Sequence, residues 1–367
     1  MASQEDMTIR PGLPASTSTE ERIRTNLGVA YWAESASLME RLLDDESVDL
    51  IMTSPPFGLV RKKEYGNADA SDYVDWFRPF AKQFARVLKP KGSLVIDIGG
   101  AWNAGKPTKS LYHYELLLCL CKEFGFHLAQ EFFWWNPSKL PTPAEWVNVR
   151  RIRVKDAVNN IFWLSPDPFP KASNRRVLTP YSKSMEGLLE SGYRAKKRPS
   201  GHDISKNFST NNGAAIPPNL IAVANTESNS HYIRYCNEND LPVHPARFPA
   251  LIPEYFIRFL TDRDDLVVDP FAGSCVTGEV SERLRRRWIC SEIEEKYLLG
   301  AKSRFLRPPS PKQLRLTGVK VESYNVPRPG ALWHDSPQTP LPVDGGHKRS
   351  GKRKMVSVLS DAAGEEG

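Results

Sequence analysis

Between residues 48 and 305, short apolar runs alternate with longer amphipathic stretches. That alternation is what a chain needs to lay helices over both faces of a mostly parallel sheet. Residues 48–52 read as a buried strand. Residues 72–88 carry Tyr73, Trp76, Phe77, Phe80, Phe84 and Leu88 at helical spacing, and the following Lys-Pro-Lys-Gly is expected to end that helix. Further strands are expected over 93–98, 126–135, 158–164, 266–269 and 288–292. Further helices are expected over 112–124, 249–261, 278–287 and 294–305. The expected fold class is α/β, a Rossmann-like, doubly wound sheet. Residues 166–243 break the rhythm with Ser, Asn, Pro, Lys and Arg, so an inserted module is expected there. Residues 1–26 and the Pro-rich, basic stretch 307–367 read as disordered.

Composition narrows the setting. No window approaches 18 consecutive apolar residues, so no membrane span is expected. The first 21 residues are polar and lack an apolar leader segment, so a cytoplasmic protein is expected. The five cysteines form no Cys-x-x-Cys pair, which argues against both a disulfide framework and a structural zinc site; no metal is expected. The formal net charge is +7, and a basic surplus favours a polyanionic partner, because each Lys or Arg set against a phosphate releases condensed counterions. Part of that surplus lies in the tail, in His347-Lys-Arg-Ser-Gly-Lys-Arg-Lys354.

Leu-Val-Val-Asp269-Pro-Phe271-Ala-Gly273-Ser274-Cys-Val-Thr277-Gly278 reads as strand, turn and helix. Its carboxylate ends the strand, and its small residues let the backbone approach a ligand at a helix N-terminus. Glu292 ends the next strand, where an acidic side chain can grip ribose hydroxyls. The glycines do not follow the dinucleotide pattern Gly-x-Gly-x-x-Gly. A nucleoside without a pyrophosphate, such as S-adenosylmethionine, suits the turn better. The plain alternative is a tight βα turn with a solvated glutamate.

Ile-Met-Thr53-Ser54-Pro55-Pro56-Phe57-Gly58 follows the first strong strand. Two prolines fix φ and remove N–H donors, so this turn is rich in backbone acceptors. Ser54 adds a hydroxyl acceptor and Phe57 a ring on which an extruded base can stack. An exocyclic amine needs that set: two acceptors on its hydrogens hold the nitrogen towards sp³ character, freeing its lone pair to attack an activated methyl group. The plain alternative is a Pro-rich turn.

In this order, the two turns resemble the β-class S-adenosylmethionine-dependent amino-methyltransferases, with the catalytic half ahead of the cofactor half. The likeness covers residues 28–306. It is nearest to the N4-cytosine enzymes of restriction systems, through Arg61-Lys-Lys-Glu-Tyr-Gly-Asn67, Asn136-Pro-Ser-Lys-Leu-Pro141, Arg198-Pro-Ser-Gly-His-Asp-Ile204, Ile216-Pro-Pro-Asn-Leu220 and His244-Pro-Ala-Arg-Phe-Pro249. The resemblance implies a circularly permuted methyltransferase core: a catalytic half over 27–165, target recognition over 166–243 and a cofactor half over 244–306. It implies that Ser54, Pro55, Pro56 and Phe57 hold the target cytosine. It places Asp269, Phe271, Gly273, Ser274 and Thr277 at the cofactor with Thr53, Glu292 at the ribose, and His244, Pro245 and Phe248 beside the methionine end. Glu34 and Ser35 stand where the family usually has Asp-Ser. Cys275 and Val276 replace the small or hydroxylated residues usual in the cofactor turn.

The partner so implied is double-stranded DNA, acted on by a monomer, with CAGCTG as the expected site and a cognate endonuclease as a separate chain. N6 of adenine is the alternative acceptor, and a non-catalytic nucleic-acid-binding protein the alternative of another class. Arg61, Lys62 and Lys63 would meet phosphates. Arg198, His202, Asp203, Lys206 and Asn207 mix charge with hydrogen-bonding groups, as base-edge reading requires. Trp135 and Asn136, at the end of an aromatic strand, are expected beside the flipped base. Gly100-Ala-Trp-Asn-Ala-Gly-Lys106 imitates a phosphate loop, but Pro107 stands where Ser or Thr must bind magnesium. No Pro-Cys dipeptide offers the nucleophile that methylation at cytosine C5 needs.

Overall fold

The computed structural model describes residues 19–58, 69–192, 210–226 and 230–306. Among these residues nine strands form one sheet in the order β1-β2-β9-β8-β3-β4-β6-β5-β7. The strands are β1 (Glu20–Arg24), β2 (Gly28–Trp32), β3 (Val48–Thr53), β4 (Leu88–Ile98), β5 (His127–Trp135), β6 (Val158–Ser165), β7 (Leu220–Ala222), β8 (Leu266–Asp269) and β9 (Arg287–Glu292). The helices are α1 (Ser35–Leu42), α2 (Tyr73–Val87), α3 (Tyr112–Lys122), α4 (Lys183–Ser191), α5 (His231–Glu238), α6 (Leu251–Leu260), α7 (Val276–Arg283) and α8 (Glu295–Ala301). The pairings β2–β9, β9–β8, β8–β3, β3–β4 and β5–β7 are parallel; β1–β2, β4–β6 and β6–β5 are antiparallel.

Period-two alternation divides the core. Ile51, Leu94 and Ile96 face α2 and α3, where they pack with Phe77, Phe84, Tyr112 and Leu116. Leu50, Met52, Val95 and Val267 face the other way, onto Phe256, Ile257 and Leu260 of α6 and Val280 of α7. Every residue of β3 and β8 is buried, as expected for central parallel strands covered on both faces.

The structure departs from the sequence reading at several places. Residues 20–24, expected within a disordered segment, form the edge strand β1, and Ile23 is buried beside Trp288. Polar sequence hid this strand because only one of its side chains faces the core. The Lys-Pro-Lys-Gly run continues as the start of β4, with a register shift opposite Val48 and Leu50. The helix expected over 278–287 ends at Arg283; Arg285 turns left-handed (φ 59°), and Arg286 ties to Thr261. The helix expected to reach residue 305 stops at Ala301 and finishes in a 3₁₀ turn. Residues 166–243 are not wholly set apart: β7 extends the sheet, and Val177, Ile221 and Val223 enter the second core cluster.

Candidate active site

The C-terminal ends of β3 and β8 lie side by side, with Leu50 opposite Val267 and Ile51 opposite Val268. The two turns singled out in the sequence leave from these ends, so strand pairing brings them together. Thr53 Oγ1 donates to Asp269 Oδ1 at 2.8 Å, and the Phe271 N–H donates to the same oxygen at 3.1 Å. Asp269 is fully buried, and desolvation pushes its carboxyl up to about 6 against the nearby Thr277 and Thr53 hydroxyls.

At the end of β9, Glu292 accepts from the Gly273 N–H at 2.7 Å and the Glu294 N–H at 3.0 Å. Burial raises this carboxyl to about 7, and the neighbouring Asp269 charge adds to the rise. Gly273 has φ +52°, and a Cβ built on it would lie 2.9 Å from the His244 ring. The turn therefore demands glycine both for its backbone and for the close approach of His244. The His244 ring stands edge-on to Tyr297 at 4.5 Å, and the His244 backbone N–H donates to the Tyr232 hydroxyl at 3.0 Å. Phe271 packs against Phe80, centroids 4.9 Å apart, and Phe248 rests against the second core cluster. Ser274 is held by Arg304, which donates to its carbonyl and hydroxyl.

This set fits a nucleoside cofactor with a cationic centre. It offers two buried carboxylates at adjacent strand ends, a left-handed glycine and a helix N-terminus at α7. Glu34 and Ser35, also expected at the cofactor, make contacts within the frame. Glu34 uses both carboxylate oxygens to cap α1, accepting from Ala36 and Ser37 N–H, while the Ser35 hydroxyl donates to the Pro270 carbonyl. Pro245 is exposed. Cys275, left-handed at φ 57°, is buried against Cys290 and Gly278.

In the other turn, Ser54 Oγ donates to Asp97 Oδ2 at 3.0 Å, and Asn159 Nδ2 donates to Asp97 Oδ1 at 3.3 Å. Asp97 is next to last in β4 and Asn159 second in β6, so three strands converge on one carboxylate. Asp97 is fully buried; desolvation raises it to about 6 against those two hydrogen bonds and the facing Lys139 cation. The Pro56 carbonyl, expected to be an open acceptor, receives the Tyr73 hydroxyl at 2.8 Å. Phe57 packs over Gly99, where a Cβ would lie 2.5 Å from its ring, and Tyr112 donates to the Gly99 carbonyl.

Sequence reading missed Asp97, Asn159, Tyr73, Tyr112 and Gly99. Asp97 carried a usable signal: a lone acid inside the apolar run Leu94-Val-Ile-Asp-Ile98, where an unpaired charge is costly. Trp135 is at the exposed end of β5, while Phe132 and Trp134 are core residues. Asn136 Oδ1 is taken up within the fold, accepting from Ser138 and the Asn225 N–H. Arg61, Lys62, Lys63, Arg198, His202, Asp203, Lys206 and Asn207 lie outside the described residues. Residues 100–109 form a turn closed by a Trp102–Lys109 bridge, and no helix starts at Lys106. Among the described residues no helix is long and apolar enough to cross a membrane, and no cluster of His, Cys, Asp or Glu has metal-ligand geometry.

An α/β sheet that sets the Ser54-Pro-Pro-Phe57 turn beside the Asp269–Gly273 turn has the arrangement of a methyltransferase core. The DNA methylase family matches residues 48–303. The chain is 52% identical over 285 residues to the type II methyltransferase M.PvuII of Proteus hauseri, covering 77% of this chain and 84% of that one. It is 26% identical over 267 residues to M.HpaI of Haemophilus parainfluenzae, covering 71% and 69%. The solved structure of PvuII DNA methyltransferase (cytosine-N4-specific) superposes with a TM-score of 0.64 at 43% identity, over 80% of this chain and 91% of that one. This chain belongs to the DNA methylase family.

Proposed function

We propose that the chain transfers a methyl group from S-adenosylmethionine to N4 of a cytosine flipped out of duplex DNA, as the modifying arm of a restriction–modification system. The observation that carries this reading is the Ser54–Asp97 hydrogen bond. Because Ser54 gives its proton to Asp97, its lone pairs are what it presents to an incoming N–H. With a backbone carbonyl of the Pro55 turn as second acceptor, the amine is oriented and its lone pair is aimed across the turn. When bound, the cofactor supplies a methyl group already activated on a sulfonium. As the methyl group would pass from the sulfonium sulfur to N4, its S–C bond breaking to leave a neutral thioether while the N–C bond forms, the amine would shed a proton, which Ser54 Oγ would take while passing its own to Asp97 Oδ2. Tyr73, on the Pro56 carbonyl, keeps the turn from shifting. Phe57, braced on Gly99, offers its ring to the extruded base, whose release from the stack costs a few kcal/mol.

Glu292 would hold the ribose hydroxyls, and Asp269 with the Gly273 turn the methionine end near His244. Serine at the head of the Pro-Pro motif favours cytosine over adenine, and the 43% identical solved relative is itself named cytosine-N4-specific. The palindrome CAGCTG, monomeric action on each strand in turn, a cytoplasmic location and a separate endonuclease complete the proposal.

Single-molecule sequencing of DNA from a methylation-free host expressing the chain tests it. One N4-methylcytosine motif, absent with Ser54→Ala, is expected. N6-methyladenine would overturn the acceptor, and unmodified DNA would overturn the activity.

A further inference from the structure

The loop joining β5 to β6, residues 136–157, is a folded element that the target-recognition assignment leaves out. A π-helical turn spans Glu145–Val149. The Ile152 N–H donates to the Trp146 carbonyl, and Asn148 Nδ2 to the Pro141 carbonyl at 3.0 Å. The loop is also fastened to its surroundings. Arg153 stacks on the Trp102 ring at 3.9 Å and donates to the Pro107 carbonyl at 2.6 Å, while Lys155 donates to the carbonyls of Pro137 and Lys139.

Strand pairing fixes where this element stands. β6 runs antiparallel to β4, so the start of β6 lies at the end of β4 that carries Asp97. Residue 157 is two positions from Asn159, whose amide donates to Asp97. On the other flank, Trp102 follows Gly99, on which Phe57 rests. The loop therefore rises from the rim of the amine-binding turn.

Its surface chemistry is that of a polyanion partner. Residues 136–157 carry five Lys or Arg against two Asp or Glu. Both acids are already engaged, Glu145 with Arg150 at 2.7 Å and Asp156 with Lys109 at 3.2 Å. Among the described residues Arg151, Arg153 and Lys155 have no carboxylate partner, and Arg151 has no hydrogen bond. Apolar side chains alternate with them: Val149, Ile152 and Val154 are exposed, and Val154, at 84%, is the most exposed large hydrophobic side chain among the described residues. A basic row interleaved with bare aliphatic tips matches a nucleic-acid backbone, where cations meet phosphates and small apolar groups meet sugars.

Resting on the reading that the substrate is duplex DNA, we infer that the 136–157 loop is a DNA-backbone arm: Arg151 and Lys155 at its exposed end grip phosphates flanking the target base, at the rim marked by Asn159 and Asp97. Its role is independent of sequence. It holds the duplex over the pocket while the base is extruded.

The test is duplex binding by the full chain, by fluorescence anisotropy over a range of salt concentrations, for wild type and for Arg151→Gln with Lys155→Gln. Glutamine keeps a donor for the Pro137 and Lys139 carbonyls. The double variant is expected to bind cognate and unrelated duplexes more weakly by the same factor, with a salt slope shallower by about one per residue removed. Its S-adenosylmethionine affinity should stay at the wild-type value, and the single variant Arg151→Lys, which keeps the charge, should keep the wild-type slope. An unchanged slope in a variant with intact cofactor binding, while wild type methylates DNA, overturns the arm alone. A wild-type chain that binds no duplex overturns the arm and the substrate together. Weakening confined to the cognate duplex would also overturn it, because it would make the loop a reader of bases.

Discussion

Thr53 and Asp269, 216 positions apart in the chain, share a buried hydrogen bond of 2.8 Å that joins the turn after β3 to the turn after β8. Neither turn makes a methyltransferase alone, because transfer needs the acceptor nitrogen and the methyl donor held in line within contact distance. The bond clamps the two strand ends at the point where that alignment is decided.

Thr53→Val keeps the shape and removes the donor. It should lower unfolding stability by about 1–3 kcal/mol, because a buried carboxylate oxygen loses a partner. Urea denaturation with and without cofactor would measure it, and the loss should be accompanied by weaker cofactor binding in calorimetry.

Asp97→Asn should cut single-turnover methylation by about 10²–10⁴-fold, the range for a positioned proton acceptor, with cofactor affinity nearly unchanged. In wild type the sign follows from ionisation. Asp97 can take up a proton from Ser54 only as carboxylate, and its pKa is raised to about 6, so the rate should hold above that pH and fall as pH drops through it. A rate flat from pH 5 to 8 would refute the role.

Glu292 is raised in the folded state from 4.5 to about 7, so the native protein binds a proton more readily than the unfolded chain between those values. Its contribution to stability is therefore full below about 4.5 and is lost as pH rises through about 7. Glu292→Gln, which cannot ionise, should lack this pH dependence. The difference in Tm between variant and wild type should change steadily across pH 4.5–7.5 in the cofactor-free protein, moving in the variant's favour as pH rises. The same variant should bind cofactor poorly.

Gly273→Ala places a methyl group 2.9 Å from the His244 ring at φ +52°. A cost of about 1–3 kcal/mol is expected, typical of a strained left-handed residue. Thermal melting should show the loss, together with weakened cofactor binding. By contrast, Gly99→Ala should displace the Phe57 ring and depress turnover while sparing cofactor affinity.

Local sequence alone determined much of this protein. Apolar runs such as 266–269 and the helical spacing of Tyr73, Phe77, Phe80 and Phe84 impose a strand and a helix wherever they are placed, because periodicity dictates which face is buried. Ser54-Pro-Pro-Phe and Asp269-Pro-Phe-Ala-Gly likewise marked two turns that leave the ends of β3 and β8. What the sequence withheld was pairing. β1 was hidden because an edge strand with one buried side chain has no apolar signature, and β7 because three residues carry no period. Asp97 and Asn159 met Ser54 only when β3, β4 and β6 were brought together, and Tyr73 and Tyr112 only when α2 and α3 packed on that sheet. Tertiary structure alone decided that Pro56 is already engaged by Tyr73 and that Thr53 meets Asp269. Each is a contact across long sequence separation, fixed by strand order and register rather than by any neighbour in the chain.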